Sequence, residues 1–126
     1  GLLVLGAMVF GSIAPVLMYL AIGVSLPLLG GVLTHLGAAV ILGIPFTLAM
    51  VSSNQIAVVA GCSMLCVLAQ VVPPSALGGY FAQELTKEPN YAPILRMCMV
   101  PFLVCVVLSM IELAFANQFA AWFVPF

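Results

Sequence analysis

The chain has 126 residues, of which 66% are hydrophobic and 4% charged, with a net charge of −1. A water-soluble domain carries roughly a quarter charged residues, so this composition lacks the polar shell that a surface in water needs and places the chain in lipid. The charge balance gives no electrostatic footprint for nucleic acid and no basic cluster for anchoring on an anionic membrane surface.

The expected fold is all-α and integral to a membrane: three full transmembrane helices plus one re-entrant helical hairpin, or four transmembrane helices, with proline kinks. The whole chain, 1–126, reads as one polytopic membrane domain. It starts with Gly1 and lacks a basic segment ahead of its first apolar run, which argues against a signal peptide. This reads as a portion of a larger transporter or a processed chain.

Residues 1–29 form a first apolar stretch, long enough for one tilted span. Pro15 is expected to kink or end its helix, and Pro27 to mark its far end. Gly6, Gly11 and Gly23 offer small surfaces for close helix packing. Gly30-Gly31 reads as a turn. A second span covers about residues 32–50 and is bent by Pro45. It holds His35, the single histidine, beside Thr34. An ionisable side chain in a membrane helix is a functional suspect as a proton relay. A place near the boundary, as an interfacial or hydrogen-bonded structural residue, is the other reading.

Residues 51–85 organise the rest. They open with Ser52-Ser53-Asn54-Gln55, four polar side chains that either cap a helix start or help coordinate an ion or substrate. An apolar run over residues 56–72 follows, with Gln70 near its end in need of a partner. Then comes Val72-Pro73-Pro74-Ser75. Two prolines in series remove two N–H donors and exclude helix before them, which leaves carbonyls free. Such backbone survives at membrane depth only inside protein or along a wet cavity. With an apolar arm over residues 76–85, too short to cross alone, these features suit a re-entrant hairpin with its tip at residues 72–75. A full span followed by an external Pro-Pro turn is the alternative.

Residues 84–96 form the one hydrophilic loop and hold four of the five charged residues. Glu84 and Lys87 are placed to pair. Lys87 and Arg96 tilt the loop toward the cytoplasm. Tyr80 and Tyr91 suit an interfacial aromatic belt. The last span covers about residues 94–115, with Pro101 inside or at its start. Glu112 lies within it, either as a proton or cation site or near enough to the helix end to reach water beside Asn117 and Gln118. Trp122, Phe123 and Phe126 make a terminal aromatic anchor. Cys62 and Cys66 share one helix face, Cys98 and Cys105 another. They read as soft packing side chains, with no structural disulfide and no metal site.

The order of these parts resembles the C-terminal part of the large membrane subunit of tripartite ATP-independent periplasmic (TRAP) transporters, best over residues 51–124. That family's hairpin tip commonly reads Thr-Pro-Pro-Val-Gly with an Asn two residues on. Here Pro73 and Pro74 match, and the Thr, Gly and Asn do not. Residues 94–104, from Ile94 through Arg96 to Pro101-Phe102-Leu103-Val104, are similar to the family's final span. The resemblance implies an elevator-type carrier in a bacterial inner membrane, driven by sodium and moving small organic acids received from a periplasmic binding protein. It implies a sodium site of tip carbonyls and nearby hydroxyls, here Val72 and Ser75.

The candidate binding residues are thus Ser52, Ser53, Asn54 and Gln55 on one side and Pro73, Pro74 and Ser75 at the tip. No cofactor beyond the sodium ion is expected. The expected partners are the bilayer and other transmembrane segments. A non-transporting scaffold or assembly subunit is the alternative, packing through Gly37-Ala38-Ala39 and residues 57–61. An enzyme is not expected, because the chain has no Asp and no His-Glu pair at helical spacing.

Overall fold

The computed structural model describes Gly1, Val4, Leu5, Met8 and residues 14–123. Gly6, Gly11 and Phe126, named above for packing and anchoring, lie outside them. Among the described residues the regular structure is all helical: α1 (Pro15–Ala38), a π turn (Ala39–Gly43), α2 (Ile44–Ala49), α3 (Gln55–Val67), a 3-10 turn (Leu68–Val71), α4 (Leu77–Thr86), α5 (Tyr91–Ala114) and α6 (Ala116–Phe123). Two stretches are long and apolar enough to cross a membrane. They are Pro15–Ala49, with 35 residues and mean hydropathy 2.1, and Tyr91–Ala114, with 24 residues and mean hydropathy 2.4. Gln55–Val71 is apolar but shorter.

Several local expectations are corrected. Pro15 does not kink a helix but opens α1 at its first turn, where its missing N–H has no helical partner to lose. Pro27 lies inside α1 and is buried. Gly30-Gly31 is not a turn: both residues are helical and buried. Pro45 lies within the second run of helical backbone as expected, in the first turn of α2 just after the π turn. The last span starts at Tyr91 with Pro101 internal.

The change of direction expected at Gly30-Gly31 comes at Thr34, whose backbone is non-helical at φ 71° and ψ 159°. A Cβ placed on Gly30 would lie 3.5 Å from the Ala38 Cβ, whereas eight residues of straight helix separate such atoms by about 12 Å along the axis. The chain therefore folds back on itself around Thr34. Residues 15–33 and 35–49 become two arms.

The core sits between these arms, α3 and the end of α5. Met18, Ile22 and Leu26 recur at helical spacing on the first arm and meet Ala38, Phe46 and Met50 from the second. Val58, Cys62, Leu65 and Cys66 face them from α3, and Leu113 closes the cluster from α5. In lipid such apolar faces associate by close van der Waals packing. Gly61 allows α3 to approach α5 closely, since a Cβ there would stand 3.0 Å from Leu113 side-chain carbons. Outside this core the surface is apolar: Val100, Leu103, Val104, Val107 and Leu108 on α5 are all exposed.

Candidate functional site

The Ser52–Gln55 group lies in the loop that leads into α3. Asn54 is the N-cap residue: its Oδ1 accepts from the N–H groups of Ile56 at 3.1 Å and Ala57 at 3.3 Å. Its own N–H donates to Asn117 Oδ1 at 2.7 Å. Gln55 Nε2 donates to the Met50 carbonyl at 2.9 Å and to that of Ser53 at 3.2 Å. These amides satisfy the open donors of a helix start and the acceptors of a turn. The break at residues 72–76 lies at the other end of Gln55–Val71, 17 residues long, or about 26 Å of helix. The structure does not bring Ser52, Ser53, Asn54 and Gln55 together with Pro73, Pro74 and Ser75.

The structure instead brings a different partner to the Pro-Pro break. The 3-10 turn ends at Val71, the chain is extended at Val72, and the Pro73-Pro74 bond is cis. Helix resumes at Leu77. Against this break packs the fold-back at Thr34. Ser75 N–H donates to the Gly31 carbonyl at 2.8 Å. Gln70 Nε2 lies 3.2 Å from His35 Nδ1. A Cβ on Gly31 would stand 2.9 Å from Val72 Cβ and 3.0 Å from its carbonyl oxygen. One on Gly30 would collide with the Ala69 side chain. Glycine is needed at both positions because the backbones approach within the space of a methyl group. Two helix breaks from separate parts of the chain are thus docked on one another.

The remaining carbonyls divide into two sets. Val71 O accepts from the Tyr91 hydroxyl at 2.5 Å, and Ala69 O accepts from Val72 N–H at 3.0 Å. The carbonyls of Val72, Pro73 and Pro74 meet no donor among the described residues. Pro73 and Pro74 are exposed on the chain surface, while Val72 and Ser75 are half-buried. Hard oxygen atoms of this kind are what alkali and alkaline-earth cations take. Helix α4 is positioned from this end. Gly78 faces the Gln70 carbonyl at 3.6 Å from where its Cβ would be, Gly79 lies against the Tyr91 ring, and Tyr80 and Tyr91 have ring centroids 5.1 Å apart.

Beside the docked breaks runs a groove of about 400 Å³ between the second arm and α3. His35 lies in its lining, with Ala39 and Gly43 of the π turn, Thr47, Cys62, Ser63 and Cys66. Single π turns inside helices concentrate at functional sites. The two polar hydroxyls are internally occupied: Thr47 Oγ1 donates to Gly43 O at 2.8 Å and Ser63 Oγ to Val59 O at 2.7 Å. All four cysteines are free thiols. No group of three or more metal-ligating side chains exists among the described residues.

Compared with protein-family models, curated proteins and solved structures, the chain matches none.

Sequence reasoning missed three residues of this site. Thr34 gave no signal, because a β-branched residue argues against a positive φ. Tyr91 suits an interfacial belt by its place in the chain, and its hydroxyl also reaches back 20 residues to Val71, which no local signal marks. Gly31 was read as a turn rather than as a contact surface. Gln70, singled out as needing a partner, finds one in His35. Glu112 lines a small pocket of about 160 Å³ with Asn54, Ala57 and Phe119. Glu84 and Lys87 form no ion pair. Lys87 instead closes α4 in the left-handed conformation at φ 55°, its N–H directed to Gln83 and Glu84 carbonyls.

Proposed function

We propose that this chain is part of an ion-coupled secondary carrier embedded in a membrane, with its binding site where the breaks at Thr34 and residues 72–76 meet. The observation that carries this reading is the docking itself: Ser75 N–H on Gly31 O at 2.8 Å, between two interrupted apolar helices. Broken helices are costly in lipid unless they are buried together or line a polar path. In carriers they supply unpaired carbonyls to cations and helix starts to anionic groups at mid-depth. The unpaired carbonyls of Val72, Pro73 and Pro74 are the atoms that a sodium ion would take, with Ser75 Oγ beside them. Sodium coupling, organic-acid cargo, the periplasmic binding partner and a bacterial inner membrane follow from the TRAP resemblance alone. Further transmembrane segments, from the same polypeptide or a partner, would cover the exposed apolar faces.

Depth tests the reading. Cysteine placed at Thr34 and at Pro74, in the full chain in its native membrane, is challenged with impermeant and permeant maleimides. A carrier site reacts slowly with the impermeant reagent, and sodium together with a dicarboxylate such as succinate slows it further. Rapid labelling of both positions, with no effect of either solute, overturns the reading and leaves a scaffold subunit with ordinary surface turns.

A further inference from the structure

The pocket that holds Glu112, of about 160 Å³, is framed by three elements: the start of α3 with Asn54 at its cap, the end of α5, and α6. Ala57 and Ala60 line it from α3, Phe119 and Phe123 from α6, and Glu112 from α5. The Asn54 N–H bond to Asn117 Oδ1 pins the start of α6 to the start of α3 and so sets the spacing of two walls. The Phe119 ring meets Trp122 edge-on, with centroids 5.8 Å apart.

A half-buried carboxylate in a membrane helix needs something to answer its charge. The chain has two basic side chains, and neither reaches this one. Arg96 stands on the same helix about 24 Å away, and Lys87 closes α4, just ahead of the far end of α5. His35 lines the separate groove. The N–H groups of Ile56 and Ala57 are taken by Asn54 Oδ1, so these donors of the helix start do not serve Glu112 either.

We propose that Glu112 and the rings of α6 form a binding site for a compact methylated ammonium cation, at the opposite end of α3 from the docked breaks and independent of them. The lining selects this chemistry. Its polar side chains are Glu112 and Asn54, and the Asn54 amide oxygen already accepts two N–H groups. A hard metal ion takes about six to eight oxygens, more than one carboxylate supplies. A primary ammonium brings three N–H donors and meets the same shortage of acceptors. A methylated ammonium asks for none. It needs a counter-charge, here Glu112, and aromatic or aliphatic surface around its methyl groups, here Phe119, Phe123 and the two alanines. The size agrees, because a cavity of about 150 Å³ takes one benzene-sized body, and tetramethylammonium is of that order. The same head group occurs on free quaternary amines and on choline lipids.

The test reads binding rather than transport. The full chain in phosphatidylglycerol nanodiscs is titrated with tetramethylammonium chloride at constant ionic strength, followed by calorimetry and by the fluorescence of Trp122, the single tryptophan. Saturable binding at one site per chain is expected, with no matching response to sodium or ammonium. Glu112→Gln weakens it at least about tenfold. Phe119→Leu, which keeps the bulk and removes the ring, weakens it about threefold. The uncharged tert-butyl counterpart of choline fails to compete, an arm that needs no variant and holds even where a substitution disturbs folding. Phosphatidylcholine discs separate the sources: weaker binding there assigns the pocket to a lipid head, equal binding to a free amine, and each upholds the cation site. Absence of saturable binding in phosphatidylglycerol, unchanged affinity in either variant, competition by the uncharged counterpart, or equal or tighter binding of sodium or ammonium overturns the proposal. Because the docked breaks take no part, failure here leaves the carrier reading standing, and failure of the maleimide test leaves this site standing.

Discussion

Thr34 shows how much a single residue can hold. Its φ of 71° with ψ of 159° falls in a region occupied almost solely by glycine, at a cost of about 1–3 kcal/mol for other residues. Something keeps threonine there. Its Oγ1 accepts from Gly37 N–H at 3.4 Å, the contact of an N-cap at the start of the second arm. Glycine at an N-cap forfeits only a few tenths of a kcal/mol. Thr34→Gly is therefore expected to stabilise the chain by about 1–2 kcal/mol, while Thr34→Val keeps the strain, loses the cap and destabilises by about 1 kcal/mol. Denaturant unfolding in detergent micelles measures both. A loss of stability in the glycine variant would show that this backbone geometry is not held in solution.

At the scale of the helical element, the sequence was legible where chemistry leaves one choice. Pro73-Pro74 stops a helix that runs into it, and the break stands there, followed by the short helix Leu77–Thr86. The polar group before α3 left two readings open, and the capping bonds of Asn54 favour the local one. Legibility ended where one residue type has two uses. Gly30-Gly31 signals either a turn or a close approach, and only the packing of Ala69 and Val72 decides between them. The tie from Tyr91 to Val71 was unreadable because nothing local links an aromatic in one helix to a carbonyl in another. It gives a direct prediction for the 3-10 turn. Tyr91→Phe leaves the Val71 carbonyl without its donor, costs about 1 kcal/mol, and raises hydrogen exchange over residues 68–72 more than over α3. Uniform exchange in the variant would mean that the hydroxyl does not hold the turn.

At the scale of the whole molecule, the described residues bury one modest core and leave many large apolar side chains outward. Phe46, Ile22, Leu26, Leu65 and Leu113 are fully enclosed, yet Leu17, Val24, Leu28, Val32, Met97 and Val100 are open. Exposed apolar patches beyond a few hundred Å² mark contact with lipid or with partner protein. The expected outcome is that the chain remains in the pellet when membranes are washed with alkaline carbonate and is released only by detergent. Release by carbonate alone would remove the membrane reading and, with it, the reason for thinking the docked breaks sit at depth.

The hydrogen bond from Asn54 to Asn117 spans 63 positions of sequence. On the ribosome, those positions are separated by several seconds of synthesis at ordinary elongation rates of about 5–20 residues per second. During that interval the entry to the third helix must borrow water or a chaperone in place of the amide that later clasps it. Assembly of this chain is in that respect a deferred event, in which a segment laid down early is fastened by one made much later.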